Sequence, residues 1–404
     1  MKLNLQKWEI QLQSPKIKYL LALLHAVFVL FLCYLLGNTP YSLGDEEQYI
    51  QRLHVIKEYI SSSRTILPTT LLPINVAYDK QLIEWTDEYG LPVGKQAITD
   101  REKLLRFLQI AREANNYRYI MLDVVFEPDV HSDIDSLLFA TIANTDRLVI
   151  PRHEDDELTD SLLLPKLAYA DYRTSINEGN FVKYQYLNKD MVSMAWKMFA
   201  DCTGAQYSHW GSFYFSNGRL CNSCLFLNFT VMPDEGSYTP NGEKKIYNMG
   251  IDLLDQAENI DYNTFLRNKV IIIGDLSEND IHDTYAGPMS GGYINYNAYL
   301  ALMDGKHYVD WPSMTVLFII YFFISLFLLN NKSLFDSLPL LKSIKSRTWR
   351  TVFSFIGFTG LLSIVCAAFY LINGYIFDIL TISGYFSLCS LILNTYRTIK
   401  SKKE

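Results

Sequence analysis

Two apolar runs in this chain end in acids. Asp123 and Glu127 follow YIML (119–122), and Asp275, Asp280 and Asp283 follow KVIIIG (269–274); His131 and His282 lie in the same two loops. Three chemistries suit converging carboxylates of this kind. They can bind a hard cation through oxygen, recognise an ammonium group, or work as an acid/base pair. The competing use is structural, because helix starts favour Asp as a cap and loop amides favour carboxylate acceptors. The candidate ligand set is therefore Asp123, Glu127, Asp275, Asp280, His282 and Asp283. Asp123 and Asp275 are expected at neighbouring strand ends, close enough to share a ligand or a hydrogen-bond network.

Other chemistries fit less well. The glycines after VIIIG match neither G-x-G-x-x-G nor the P-loop, and a phosphate would meet acids there instead of helix amides. GPMSGG (287–292) reads as a turn supplying positive backbone dihedrals ahead of a helix. There is no G-x-S-x-G elbow, no H-E-x-x-H and no Ser/His/Asp set, so no catalytic residue, metal or cofactor is assigned. Cys33, Cys366 and Cys389 lie in apolar segments, where they serve as small hydrophobes. Cys202, Cys221 and Cys224 lie between those segments, where disulfides are permitted if that region is exported. Cys221-x-x-Cys224 precedes a strand, so no helix dipole lowers its thiol pKa. A Cys₃His zinc site with His209 is the weaker alternative to a disulfide from Cys202 to Cys221 or Cys224.

The elements that must position these residues alternate. LLPINVAY (71–78) reads as a strand, followed by a polar connection. Thr99-x-x-Glu102 is a capping box opening a helix with Leu104, Leu105, Leu108 and Ala111 inward. YIMLDVVF (119–126) is a strand, Ser132-x-x-Asp135 opens a helix over 133–144, and RLVIP (147–151) is the next strand. A helix near 190–200, a strand LFLNFTV (225–231), the strand 269–274 and a helix at about 293–304 follow. Strand–helix alternation at these spacings predicts an α/β domain with a mostly parallel sheet, whose ligands sit beyond the carboxyl ends of the strands.

Flanking this domain are four uncharged or nearly uncharged stretches, Tyr19–Leu36, Met314–Leu329, Thr351–Ile372 and Tyr375–Tyr396. Each approaches the roughly 20 apolar residues that a spanning helix needs. The first is longer than a typical signal-peptide core and lacks a small-x-small site after it, so it reads as an uncleaved anchor. Lys and Arg collect in the N-terminal tail, in 331–350 and in the C-terminal tail, all three cytoplasmic by the positive-inside rule. The organisation expected is a tail 1–18, span 19–37, exported domain 38–311, span 312–330, basic loop 331–350, span 351–373, an Asn373-Gly374 turn, span 375–396 and tail 397–404. The net charge is −7, and removing the basic segments leaves about −16 on the exported part. That balance argues against nucleic acid as a partner. An amphipathic helix, Glu46–Ser61, carries Ile50, Leu53, Ile56 and Ile60 on one face, ahead of an SSSR turn (61–64).

FLRNKVIIIGDLSENDIHDTYAGPMSGGYINYNAYLALMDG (265–305) resembles the closing motif of CHASE2 domains, in which an l-gkiVlIG strand and an Asp precede tP…pGv.ihA…ll.g. YIMLDVVFEPDVHSDIDSLLFATI (119–142) is similar to that family's central strand and following helix, and the three closing spans match its membrane segment. Two departures stand out: LPVGKQAITDR (91–101) replaces the usual Trp-Pro-x-Arg, and INYNAY puts Asn295 and Asn297 at less polar positions. The resemblance implies an extracytoplasmic sensory domain in a cytoplasmic (inner) membrane, taking a small-molecule or peptide ligand outside. Since family members continue into an output domain and this chain stops soon after its last span, the expectation is a separate membrane or cytoplasmic signalling partner, with self-association as a homodimer. A hydrolase using Asp123 and Asp275, and a non-sensing scaffold, are the alternatives.

Overall fold

The structure, a computed structural model, describes residues 14–41, 44–61, 70–86, 89, 91–127, 130–153, 160–171, 181–189, 191–232, 246–277, 279–330 and 347–401. Residues 62–64 of the SSSR turn, most of the basic loop (331–346) and the outer parts of both tails lie outside them. The chain divides into two compact units. One comprises Pro40–His54 and Glu58–Tyr308; the other comprises Met1–Thr39, Val55–Lys57 and Val309–Glu404.

In chain order the elements are helices α1 (Pro15–Gly37) and α2 (Gly44–Ser61), strands β1 (Leu71–Asn75), β2 (Lys80–Thr86) and β3 (Pro92–Thr99), and helix α3 (Arg101–Ala114). Then come β4 (Tyr119–Asp123), α4 (Asp135–Ala143), β5 (Leu148–Arg152), β6 (Leu167–Tyr169), β7 (Lys183–Gln185), β8 (Leu187–Asn188), β9 (Met191–Val192) and α5 (Met194–Thr203). A meander β10 (Tyr207–Trp210), β11 (Phe213–Ser216), β12 (Arg219–Cys221) leads to β13 (Cys224–Phe226), β14 (Tyr247–Asn248), α6 (Tyr262–Phe265) and β15 (Val270–Gly274). A hairpin, β16 (Ile281–Thr284) and β17 (Gly287–Ser290), precedes α7 (Gly291–Met303). Helices α8 (Trp311–Leu329), α9 (Arg347–Asn373) and α10 (Ile379–Ser401) close the described chain.

Six strands form one all-parallel sheet in the order β14-β1-β15-β4-β5-β6. Its central strands are buried on both faces, which is why they read as continuous apolar runs. Alternation then assigns each face. Ile74, Ile120, Leu122, Ile271 and Ile273 join Leu104, Leu108, Leu138 and Ile142 of α3 and α4 in the main core. Tyr119, Met121, Asp123 and Ile272 turn the other way, where Tyr119 donates to Asp201 of α5 at 2.5 Å and Gly292 of α7 lies against Ile272.

Several local expectations shift for identifiable reasons. The cap of α3 is Asp100, which accepts from Lys103 N–H at 3.0 Å, one residue past the predicted Thr99 because Thr99 still pairs in β3. The Ser132/Asp135 motif keeps half its box: Ser132 N–H donates to Asp135 at 2.8 Å, while Asp135 also holds buried Arg101. The first strand stops at Asn75. The connection read as polar contains the hairpin β2–β3, whose Leu82, Leu91 and Val93 are exposed. The predicted strand 225–231 pairs only over 224–226, since β7 offers three residues. Residues 230–231 bond to Asn297 instead, whose Oδ1 accepts from Thr230 and Val231 N–H, both at 2.9 Å. Gly287 does supply a positive φ, +112°, but Gly291 and Gly292 already form the first turn of α7.

In the second unit, four helical stretches of 23, 19, 22 and 21 residues are long and apolar enough to cross a membrane. Gly374, at φ +75°, turns the chain after α9, and α10 starts only at Ile379, four residues later than expected, where Asp378 accepts from Thr381 N–H at 2.9 Å. His25 of α1 bonds Ser325 of α8 at 2.7 Å and Tyr385 of α10 at 2.8 Å. Lys18 reaches Asn330 at 3.2 Å and Arg397 donates to the Leu328 carbonyl at 3.0 Å, so the start of α1 and the ends of α8 and α10 lie together. At the other end Asn373 bonds Asp310 and Ser313.

Candidate functional site

The best-built polar cluster lies beyond the carboxyl ends of the parallel strands. Asp123 is the last residue of β4 and its register partner on β15 is Gly274, whose missing side chain leaves the space beside it open; a Cβ on Gly274 would stand 3.1 Å from Asp123 Cβ. The Asp123 residue is partly exposed, but its Oδ2 is buried and has no hydrogen-bond partner. A lone buried carboxylate oxygen is costly. Burial, and then the nearby Asp280 charge, push the Asp123 carboxyl up to about 7, against the opposing pull of His153 and His282.

Asp280 is held firmly. Its Oδ2 accepts from Gly291 N–H at 3.0 Å, at the start of α7, where the helix dipole favours negative charge. Its Oδ1 meets His282 Nε2 at 2.9 Å. A Cβ on Gly291 would come within 2.5 Å of Asp280 Oδ2, so the Asp280 side chain would have to shift to admit one. His153, the first residue after β5, contacts Asp171, two residues beyond β6, through Nδ1 at 2.6 Å. Tyr184 of β7 is buried nearby and donates its hydroxyl to Asn295 at 2.7 Å.

Among the candidate residues, Asp123, Asp280 and His282 come together. Asp275 follows Gly274, so strand alternation sends it to the other face from Asp123. It is bonded within its own loop, accepting from Ser277 N–H at 3.3 Å and from Asn279 at 2.7 Å. The carboxylate set against Asp123 is thus Asp280, not the expected Asp275. Glu127 is exposed and accepts from Gln96 of β3 at 3.2 Å. Asp283 and His131 are exposed too, and Asp283 uses its backbone carbonyl to receive Phe181 N–H at 2.7 Å. His153, Asp171 and Tyr184 were not singled out from sequence. The first two carry a usable signal, since RLVIPRH and LAYAD each end a parallel strand in a titratable group.

The disulfide expected from Cys202 is not formed; Cys202, Cys221 and Cys224 are all thiols. Cys202 sits at the end of α5, where its sulfur meets Tyr299 of α7 at 3.9 Å. Cys221 belongs to β12 and Cys224 to β13, which pairs with β7. Burial pushes both of these thiols up to about 12, so neither is a nucleophile at neutral pH. No group of three His, Cys, Asp or Glu side chains among the described residues is arranged to hold a metal ion. Asn295 and Asn297 have structural roles: besides its bonds to 230–231, Asn297 donates to the Val231 carbonyl at 2.7 Å and the Tyr293 carbonyl at 2.9 Å.

What the cluster can do follows from this inventory. A carboxyl group that is unpaired, buried and beside a fixed anion can take up a proton, or accept from a cationic donor that reaches it. Comparison with known sequences adds the family: the model described as the CHASE2 domain matches residues 48–329. No curated protein and no solved structure matches the chain.

Proposed function

From a chain that belongs to the CHASE2 domain family, whose members are extracellular sensory domains, we propose a receptor that reads its surroundings through the Asp123–Asp280 cluster. Its output goes to a separate protein partner through the membrane helices. The observation that carries this reading is the extent of the match, which runs from α2 through the whole α/β unit and to the last residue of α8. The chain passes from α7 into α8 through residues 304–310 with no intervening linker domain. In the membrane unit α8 is hydrogen-bonded to α1 and to the α9–α10 turn, so a shift of α8 is felt by its neighbours.

In this reading the domain is exported and is not an enzyme. The N-terminal tail, the 331–350 loop and the C-terminal tail lie in the cytoplasm of a cytoplasmic-membrane protein. The basic residues in those three segments support that orientation. The basic loop and the outer faces of α9 and α10 are the docking surface for the partner or for a second copy of the chain. Photo-crosslinkers at positions in 347–372 and in the loop, followed by mass spectrometry from intact cells, test the relay. A partner whose crosslinking changes in Asp123→Asn is the expected result. Recovery of the uncrosslinked monomer alone, under conditions that capture other membrane complexes, favours a scaffold.

A further inference from the structure

We propose that the stimulus read by this cluster is the proton, taken up by the Asp123 carboxyl group near Asp280; the inference rests on the sensory reading above and names its input.

Three observations carry it. The first is the asymmetry of the pair. Asp280 has both oxygens engaged, by Gly291 N–H and by His282, and serves as a fixed anion. Asp123 has a buried oxygen with no partner at all. Two carboxyl groups in such proximity do not both ionise readily, and the unpaired one is the one that takes the proton.

The second is closure. A methyl group added at Gly291 would stand 2.5 Å from Asp280 Oδ2, and one at Gly292 would stand 2.8 Å from Ile272 Cγ2 and 3.6 Å from Asp123 Oδ2. On the α7 side the helix start already packs against Asp280 and Ile272 and lies near Asp123 Oδ2. A proton needs no space.

The third is the charge surrounding Asp123 from each packed element. Asp280 and His282 face it from the segment after β15, His153 from the end of β5, and Tyr184 from β7. Asp171 lies behind His153. The Tyr184 hydroxyl donates to Asn295, and burial keeps that phenol protonated. Asp280 and the two imidazoles oppose each other, and the Asp123 carboxyl titrates at about 7. Ionisation of Asp123 sets two carboxylates against each other at the start of α7, the helix that leads into α8.

The test is hydrogen–deuterium exchange of the full chain in lipid nanodiscs from pH 5 to 9, corrected for intrinsic exchange and read on peptides covering 275–292. The wild type is expected to lose protection as pH rises through about 7. Asp123→Asn should keep the low-pH pattern at every pH. Asp280→Asn should move the midpoint down, and His153→Gln should move it up. If substitutions impair folding, the infrared carbonyl band of [4-¹³C]Asp-labelled wild type reads the same event, and the absence of any Asp carboxyl titrating above pH 6 overturns the proposal. A transition that persists unchanged in Asp123→Asn overturns it as well. So does an Asp123-dependent thermal shift with methylammonium in a protein without a pH transition, and that outcome leaves the sensory reading of the site standing.

Discussion

At Asp123 the folded state holds a proton more tightly than the unfolded chain does, because burial and Asp280 both disfavour the anion. The consequence for stability has a definite sign. The contribution is fully present below the ordinary carboxylate range and is lost as pH rises through about 7. Asp123→Asn should therefore melt higher than wild type at pH 8 and close to it at pH 5. His307 has the opposite sign. It is buried among Tyr186, Trp196, Phe199 and Tyr308, and neither ring nitrogen makes a hydrogen bond. Burial lowers the imidazole to about 4; the Arg219 charge also lowers it, and the Leu302 backbone pulls the other way. Its contribution is therefore present above the ordinary histidine value and is lost as pH falls toward 4. His307→Phe should remove that acid limb, gaining more at pH 5 than at pH 8. Thermal melts of both variants across pH 4 to 9 in one detergent check the two signs separately.

At the scale of elements, Asn297 is the pin that replaces a strand. It bonds the backbone of 230–231 and the Tyr293 carbonyl, and each buried group left unpaired costs about 1–3 kcal/mol. Asn297→Leu should cost at least about 2 kcal/mol in urea unfolding, whereas Glu127→Gln, on an exposed loop, should stay within about 0.5 kcal/mol. This pin also explains a limit of sequence reading. The apolar character of LFLNFTV was legible, but a helix side chain supplies the hydrogen bonds a neighbouring strand would have made, and nothing in the segment shows it. The parallel sheet was legible because its short, β-branched apolar runs alternate with capped amphipathic helices, and their length sets them apart from the apolar spans. The β2–β3 hairpin was not, because its exposed Leu82, Leu91 and Val93 sit among charges and blur the alternation. Asp123, Asp280 and His282 were legible as residues that follow strands, which is where the fold brings them together. The choice of Asp280 over Asp275 needed the register, because Gly274 beside Asp123 sends the next residue to the opposite face.

At the scale of the molecule, the membrane unit fixes which ends share a side. Lys18 with Asn330, and Arg397 with the end of α8, gather the start of α1 and the ends of α8 and α10. Asp310, Ser313 and Asn373 gather the opposite ends. The proposed orientation, with the tails and 331–350 in the cytoplasm, rests on their basic residues through the positive-inside rule. In that proposed orientation the 38–311 region lies outside. Single cysteines introduced at positions in 150–160 and at 375 should react with a membrane-impermeant maleimide added to intact cells, and cysteines in 340–350 should react only after permeabilisation. Reaction of the 340–350 positions in intact cells would invert the orientation while leaving the bundle unchanged, and the sensory domain would then face the cytoplasm. Removing the intramembrane hydrogen bonds offers a second reading of the same unit. His25→Leu breaks the links to Ser325 and Tyr385, and bonds of this kind between spans average about 0.6 kcal/mol each. A loss of roughly 1 kcal/mol in SDS-induced unfolding is expected, with the labelling pattern unaltered. A labelling pattern that changes in His25→Leu would mean that the polar contact, and not the charge distribution, holds α1 in its orientation.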